Sequence, residues 1–331
     1  MARRFGGWRG AVGLASTVAF SWLALRRVEW GVTADALRNA APSLLVVGAA
    51  ALVATYAMFA VRWRTLLRET APVSTADAFS FIMIGYLAST VLPLRLGDVA
   101  RAVLLRRRYS VSAVRVGATI VLERLLDVVA LLLIALLVSA KVPIPPAARV
   151  SFLVVALGGI TAVGTLALLA RGEEWVWALV QRVPLVGRRL PLARLRPHVA
   201  RFAEGLGALR SPGQGAVVLG WSAVAWLLAG CANVAFVRAF HLSAPWYAGF
   251  FVLVVVNLGS TIPSSPGFVG VYHFLAVFAL SPWVPDRSSA LAFAIVTHAV
   301  NILLNVVLGL VALTHEGADW RALRLASAAD G

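Results

Sequence analysis

The chain carries ionisable residues inside or directly against apolar sequence, and their types and spacing set the chemistry open to it. Glu123, Arg124 and Asp127 sit in VLERLLDVVALLLIALL, residues 121–137, part of a run long enough to cross a bilayer. On a helix Glu123 and Asp127 share a face, and Arg124 can pair with Asp127 three residues on. Charge at that depth is expensive, so the trio is expected to look toward protein or water, not lipid. Arg95, Asp98 and Arg101 lie in STVLPLRLGDVARAVLLRRR, residues 89–108. Guanidinium forks match phosphate oxygens, which makes Arg95 and Arg101 the candidates for a phosphate contact. Asp98, Glu123 and Asp127 would then balance those arginines or meet a cationic headgroup. The same acids also fit a latch to Arg95 or Arg101 that only holds helices together, and the two roles are compatible.

Other reactive constellations are missing. His241, His273 and His298 lack HExxH or HxE spacing, so no metal site is expected. There is no GxSxG, Walker A, GxGxxG or paired-cysteine motif, and Ser264 and Ser265 have no evident base beside them. No catalytic residue and no cofactor is therefore expected. Asn233, Asn257, Asn301 and Asn305 read as hydrogen-bonding links between helices. The lone Cys231 lies in an apolar run and reads as core packing.

These residues must be held by membrane helices. The 331 residues are 60% hydrophobic and 13% charged, with mean hydropathy +0.86. A soluble domain is nearer ~45–50% apolar and ~25% charged, so the fold class is an all-α polytopic membrane protein. Net charge is +16, and every basic residue but Lys141 is arginine. The arginines bracket apolar runs, a pattern of topology signals and contacts with anionic membrane lipids, and no nucleic-acid-reading motif accompanies them.

About six full spans are expected: an uncleaved anchor near residues 10–25, then 43–61, 116–140, 151–170, 215–237 and 290–313. Arg62, Arg64 and Arg68 close the second as a cytoplasmic triplet, and residues 27–42 form a polar link. Residues 171–213 form a cytoplasmic loop whose Leu192, Leu195, Val199, Phe202, Leu206 and Leu209 recur at helical spacing. That amphipathic helix either lies on an anionic leaflet or packs on the ends of the spans. Residues 1–313 form one transmembrane domain, and 314–331 a short polar tail.

Two apolar segments, 76–92 and 246–280, are broken. Pro93-Leu-Arg-Leu-Gly97-Asp-Val99 and Pro263-Ser-Ser-Pro-Gly267-Phe-Val269 share P-x-x-x-G-x-V, and each follows a Ser-Thr pair. Breaks in corresponding places of two halves point to a transporter site near the midplane and to a possible inverted repeat. Pro93, Gly97, Pro263, Pro266, Gly267 and Gly270 would shape them. Helices restarting after Gly97 and Gly267 would aim backbone N–H groups into the gap, a favourable setting for phosphate. Read instead as structural kinks, Pro93 only ends a span and Arg95–Arg108 is a basic linker. With 76–92 re-entrant and 246–280 an excursion from the outside, most of the 30 Lys and Arg fall inside and both termini are cytoplasmic.

LPLRLGDVARAVLLRRR at 92–108, VLERLLD at 121–127 and IPSSPGFVGVYHF at 262–274, in that order and separation, resemble the lysylphosphatidylglycerol synthase transmembrane family, also called flippase-like or UPF0104. The resemblance covers nearly the whole chain. It implies several spans with re-entrant helices in a prokaryotic cell (inner) membrane, which in the full-length synthases move an aminoacylated phospholipid between leaflets. Those synthases append a soluble aminoacyl-transferase domain. This chain stops shortly after its last span, so lysyl transfer is not expected, and the lipid would come from a separate lipid-modifying enzyme. Two positions depart from the family pattern. The family's Arg-Gly-Glu is here Arg95, Gly97 and Asp98, and a position usually acidic is His273, which puts a proton- or cation-coupled role in doubt and makes another headgroup preference plausible.

The resulting reading is translocation of a phospholipid or lipid-linked headgroup between leaflets, with no covalent catalysis. A rival is a scaffold that anchors a cytoplasmic lipid-modifying or glycosyl-transferring enzyme through residues 171–212. A third, an intramembrane lipid transferase using His273 or His298, lacks an acid, base and nucleophile.

Overall fold

The computed structural model describes residues 15–26, 28–91, 96–142, 146–172, 174, 177–178, 192–260 and 266–317. Pro93, Arg95 and Pro263 therefore lie outside the described residues, and Pro266 is described by its backbone alone. The described chain is all helical: α1 (Ala15–Leu25), α2 (Trp30–Arg38), α3 (Pro42–Leu67), α4 (Thr75–Val91), α5 (Gly97–Tyr109), α6 (Ala113–Ser139), α7 (Pro146–Arg171), α8 (Leu192–Gly205), α9 (Pro212–Ala239), α10 (Trp246–Gly259), α11 (Val271–Leu280) and α12 (Arg287–His315).

Among these, α3, α7, α9 and α12 are long and apolar enough to cross a bilayer, fewer than the six spans expected. The difference has two sources. Helix α6 is 27 residues long but carries Glu123, Arg124 and Asp127, and α1 is described over only Ala15–Leu25. A multi-pass membrane protein follows from the four long helices.

The longest packing seam joins α3 to α9, while α12 packs along α4 and α7 lies against α6. Large apolar side chains of α7 such as Val154, Leu157 and Leu168 stay exposed, as a lipid-facing helix requires. Cys231, expected in the core, is instead exposed on α9. A period of 3.6 cannot distinguish lipid-facing from protein-facing apolar positions when both are apolar.

The stretch between 27 and 42 is not a simple link. It contains α2, which docks on the start of α12: Glu29 N donates to Ser288 Oγ at 3.0 Å, and Thr33 Oγ1 donates to the Ser288 carbonyl at 3.3 Å. Helix α8 packs on α6, tied by an Arg115–Glu204 ion pair, with Leu206 fully buried just beyond it. Leu195, nearer its start, is exposed, so the amphipathic stretch packs on helix ends at one end only.

Both broken segments fold as hairpins. In the first, α5 returns along α4 so closely that a Cβ on Gly97 would collide with the Gly85 carbonyl and Ser89 Oγ. Its open end is pinned where it began: Tyr109 donates its hydroxyl to Asp77 Oδ2 at 2.6 Å, and Arg108 lies 3.1 Å from Asp77. The last helix closes on the same end, with Arg108 Nη1 2.6 Å from Glu316. Helix α4 has 17 residues, about 25 Å of rise, which is shorter than the ~30 Å hydrocarbon core of a bilayer.

The second hairpin, α10 and α11, opens on the opposite face, where Tyr247 and Phe251 meet Trp283 at ring distances of 5.7 and 5.9 Å. Its turn differs from the first. Gly267 (φ 72°) lies in a short 3-10 turn, and α11 begins at Val271 after Gly270 (φ 82°), so the helix restarts three residues later than the shared motif suggests. Both φ values fall in the region where only glycine is unstrained.

Candidate functional site

The two hairpin tips meet. A Cβ on Gly267 would lie 3.9 Å from the Thr90 carbonyl, and α4 contacts the Pro266–Phe268 turn. Beside this junction is a cavity of about 440 Å³. Its walls come from both hairpins and from α3, α6, α9 and α12, and they fall into a charged end and a neutral remainder.

The charged end belongs to a network of six side chains, of which Asp98, Arg101, Arg124 and Asp127 line the cavity and Arg62 and Glu123 lie behind them. Arg62 of α3, buried, places Nη1 2.6 Å from Asp127 Oδ1 and Nη2 2.9 Å from Glu123 Oε1. Ser222 accepts a further bond from Arg62 Nη1 at 3.2 Å, and Trp226 donates its indole N–H to Asp127 at 3.2 Å. Arg101, also buried, stacks over the Trp63 ring at 4.8 Å. Its Nη2 lies 2.7 Å from Glu123 Oε2 and 3.1 Å from Asp98, close charge contacts whose angles fall short of hydrogen bonds. Arg124 forks onto Asp98 at 2.8 and 3.1 Å and reaches Asp127 at 3.3 Å.

Three guanidinium groups and three carboxylates thus neutralise one another, the condition for keeping charge at this depth. The accessible members are Arg124 and Asp98, whose side chains are 47% and 41% exposed, against 3% for Arg101. Arg101 lines the cavity as well, but its guanidinium is almost wholly buried and held against Glu123 and Asp98.

The sequence-read candidates divide accordingly. Asp98, Arg101, Glu123, Arg124 and Asp127 come together in one network, and the expected pairings of Glu123 with Arg101 and Arg124 with Asp127 are present. Arg95 is outside the described residues. His273 is absent from the cavity wall: its Nδ1 accepts the Gly270 backbone N–H at 3.3 Å and closes the start of α11. His298 does line the cavity, stacked on Tyr272 at 4.3 Å. Gly97 and Gly267 both reach it.

Arg62 is the residue that sequence reasoning placed elsewhere. It was expected in a cytoplasmic triplet with Arg64 and Arg68, but α3 runs on to Leu67 and carries it into the network. The signal available was the unpaired acid of Glu123 and Asp127, which together need more than one arginine.

The histidines, Cys231 and acids form no cluster of three or more arranged for a metal among the described residues. Compared with known proteins, residues 10–309 match the family model described as lysylphosphatidylglycerol synthase TM region. The chain belongs to that family. The lysylphosphatidylglycerol synthase TM region accounts for every element from α1 to most of α12, and so for both hairpins and the whole charged network. A curated relative, glycosyltransferase AglD of Haloferax volcanii, is 25% identical over 333 residues, covering 90% of this chain and 53% of that protein. The chain thus spans about half the length of the curated relative it matches. Family and relative together indicate a function related to membrane lipids.

Proposed function

We propose that the chain translocates the headgroup of a phospholipid or lipid-linked compound between leaflets, without covalent chemistry. The observation that carries this reading is a single cavity, charged at one end, lying where two re-entrant hairpins opening on opposite faces touch at their tips. Such a site lies near the bilayer midplane, and small displacements of either hairpin would open it to one face or the other. Arg124 is the phosphate contact in this reading, held ready by Asp98. Behind it Arg101 pairs with Glu123, and Arg62 pairs with both Glu123 and Asp127, so that Arg124 shares Asp127 with Arg62. The arginine-rich face, carrying Arg106, Arg107, Arg108 and both described ends of the loop to α8, is assigned to the cytoplasm of a prokaryotic cell.

The test is exchange of headgroup-labelled anionic, aminoacylated and neutral lipids across sealed proteoliposomes, with Arg124→Gln and Arg101→Gln variants. Selective exchange that is lost in folded Arg124→Gln protein is the expected result. Exchange unchanged by either substitution would overturn the assignment.

One observation favours a second reading. The match to AglD covers 53% of a protein named as a glycosyltransferase, which supports an association of this region with glycosyl transfer. As a scaffold, the chain would recruit a lipid-modifying or glycosyl-transferring partner through the segment around α8. Loss of partner recovery on altering α8, with the hairpins tolerant of mutation and no lipid exchange, would favour it.

A further inference from the structure

The neutral part of the cavity wall has a hydrogen-bond character of its own. Asn233 on α9, Asn257 on α10, and Asn301 and Asn305 on α12 line it. The first three each donate one amide N–H to the carbonyl four residues back in their own helix, Ala229, Leu253 and Thr297, at 2.9, 2.8 and 2.8 Å. That bond fixes each carboxamide and leaves its oxygen and second N–H for another partner. Asn301 Oδ1 receives only a long 3.5 Å bond from the Tyr56 hydroxyl, and the buried Asn305 Oδ1 has no partner. Asn301 joins α12 to α3 through that long bond, the linking role its sequence context suggested, whereas Asn233 and Asn257 bond back to their own helices and present hydrogen-bonding edges to the cavity.

We propose that this amide wall is a headgroup-recognition subsite that takes the hydroxyls of a polyol or sugar joined to the lipid phosphate. The inference rests on the translocation reading for the phosphate end and names the class of headgroup. A buried amide oxygen left without a donor is costly, so a ligand that displaces water from this wall binds best when it supplies donors of its own. A hydroxyl both donates and accepts, and so satisfies an amide oxygen and its remaining N–H together. An ammonium only donates, and it would enter a wall of amides with no carboxylate among them. The carboxylates at the far end, Asp98 and Asp127, are already held by Arg124 and Arg62. A trimethylammonium has no donor at all. The cavity volume, about 440 Å³, lies in the range of small-molecule sites and accommodates a headgroup while leaving acyl chains to the bilayer.

The test measures binding, separately from transport, on the full chain in detergent micelles by native mass spectrometry. The probes are short-chain phosphatidylinositol and phosphatidylglycerol, phosphatidylmethanol as a charge-matched lipid without hydroxyls, and phosphatidylethanolamine. Phosphatidylinositol and phosphatidylglycerol are expected to bind about tenfold more tightly than phosphatidylmethanol, the size of one or two net hydrogen bonds. Asn257→Leu and Asn305→Leu should bring both down to the phosphatidylmethanol level and leave phosphatidylmethanol itself unchanged. Equal affinities for the three anionic lipids, or tightest binding of phosphatidylethanolamine, would overturn the proposal. The wild-type comparison decides this even where a leucine variant fails to fold. Selective binding without leaflet exchange would sink the translocation reading and leave the subsite standing; exchange without this preference would do the reverse.

Discussion

Arg62 Nη1 and Asp127 Oδ1 lie 2.6 Å apart, joining α3 to α6 across 65 residues of sequence. Both groups are shielded from solvent, so each is the other's main compensation in a low-dielectric setting. Glu123 shares Arg62 with Asp127 and shares Arg101 as well, which makes the three helices α3, α5 and α6 one electrostatic unit. The first prediction follows from that coupling.

Replacing Arg62 by Met should destabilise the fold by roughly 3–5 kcal/mol, because it leaves two buried carboxylates with too few cations. Arg62→Lys should recover part of this, since an ammonium cannot span both acids with a planar fork. Thermal unfolding in detergent measures both, and an Arg62→Met protein as stable as wild type would refute a structural role for the pair.

Asp98 competes with any ligand for Arg124. Asp98→Asn should free the guanidinium and tighten binding of an anionic headgroup by about tenfold, equivalent to one charge-assisted bond. Titration of the purified variant with phosphatidylmethanol checks the direction. Weaker binding would mean that Asp98 itself meets the ligand.

Gly97 sits against the Gly85 carbonyl and Ser89, whereas Gly158 on α7 has nothing near the place of a Cβ. Gly97→Ala should therefore force α4 and α5 apart and lower thermal stability, with an expected loss of about 1–3 kcal/mol from overpacking. Gly158→Ala should be neutral or raise stability by up to ~1 kcal/mol through helix propensity. The contrast between the two alanines is the readout.

Asp286 caps α12 by accepting from the Ser288 and Ser289 backbone N–H groups at 3.0 and 3.1 Å. Partial burial pushes its carboxyl up, but the Ser289 hydroxyl and these two N–H groups more than offset that, and the net shift is below the ordinary value of 3.8. A carboxyl depressed in the folded state adds stability that is present above 3.8 and is lost as pH falls through the folded value. Asp286→Ala should cost about 1 kcal/mol at neutral pH, and the gap to wild type should close in strong acid. Unfolding midpoints of both proteins across that pH window test it.

Much of this was legible in the sequence. Hydropathy located α3, α7, α9 and α12, with ends off by up to about six residues, because a lipid solvent demands long apolar helices whatever their neighbours do. Pro and Gly marked both breaks for the same local reason, and the depth of Glu123, Arg124 and Asp127 announced a partnered, inward-facing cluster. Family membership, too, was visible in three motifs and their order.

What the sequence left undetermined is who meets whom. Arg62 looked like the first residue of a basic flank and is instead buried between two acids on a helix 61 and 65 residues away. The asparagines looked like links between helices, and Asn301 does reach Tyr56 of α3, yet Asn233 and Asn257 bond their own backbones and line a cavity. His273 stood at a suggestive position and closes a helix start. Hydropathy and turn chemistry are properties of consecutive residues, so they can be read along the chain. Pairing of charges, exposure of one arginine among three and the meeting of two hairpin tips depend on how distant helices rotate and pack, and only the tertiary structure fixes that.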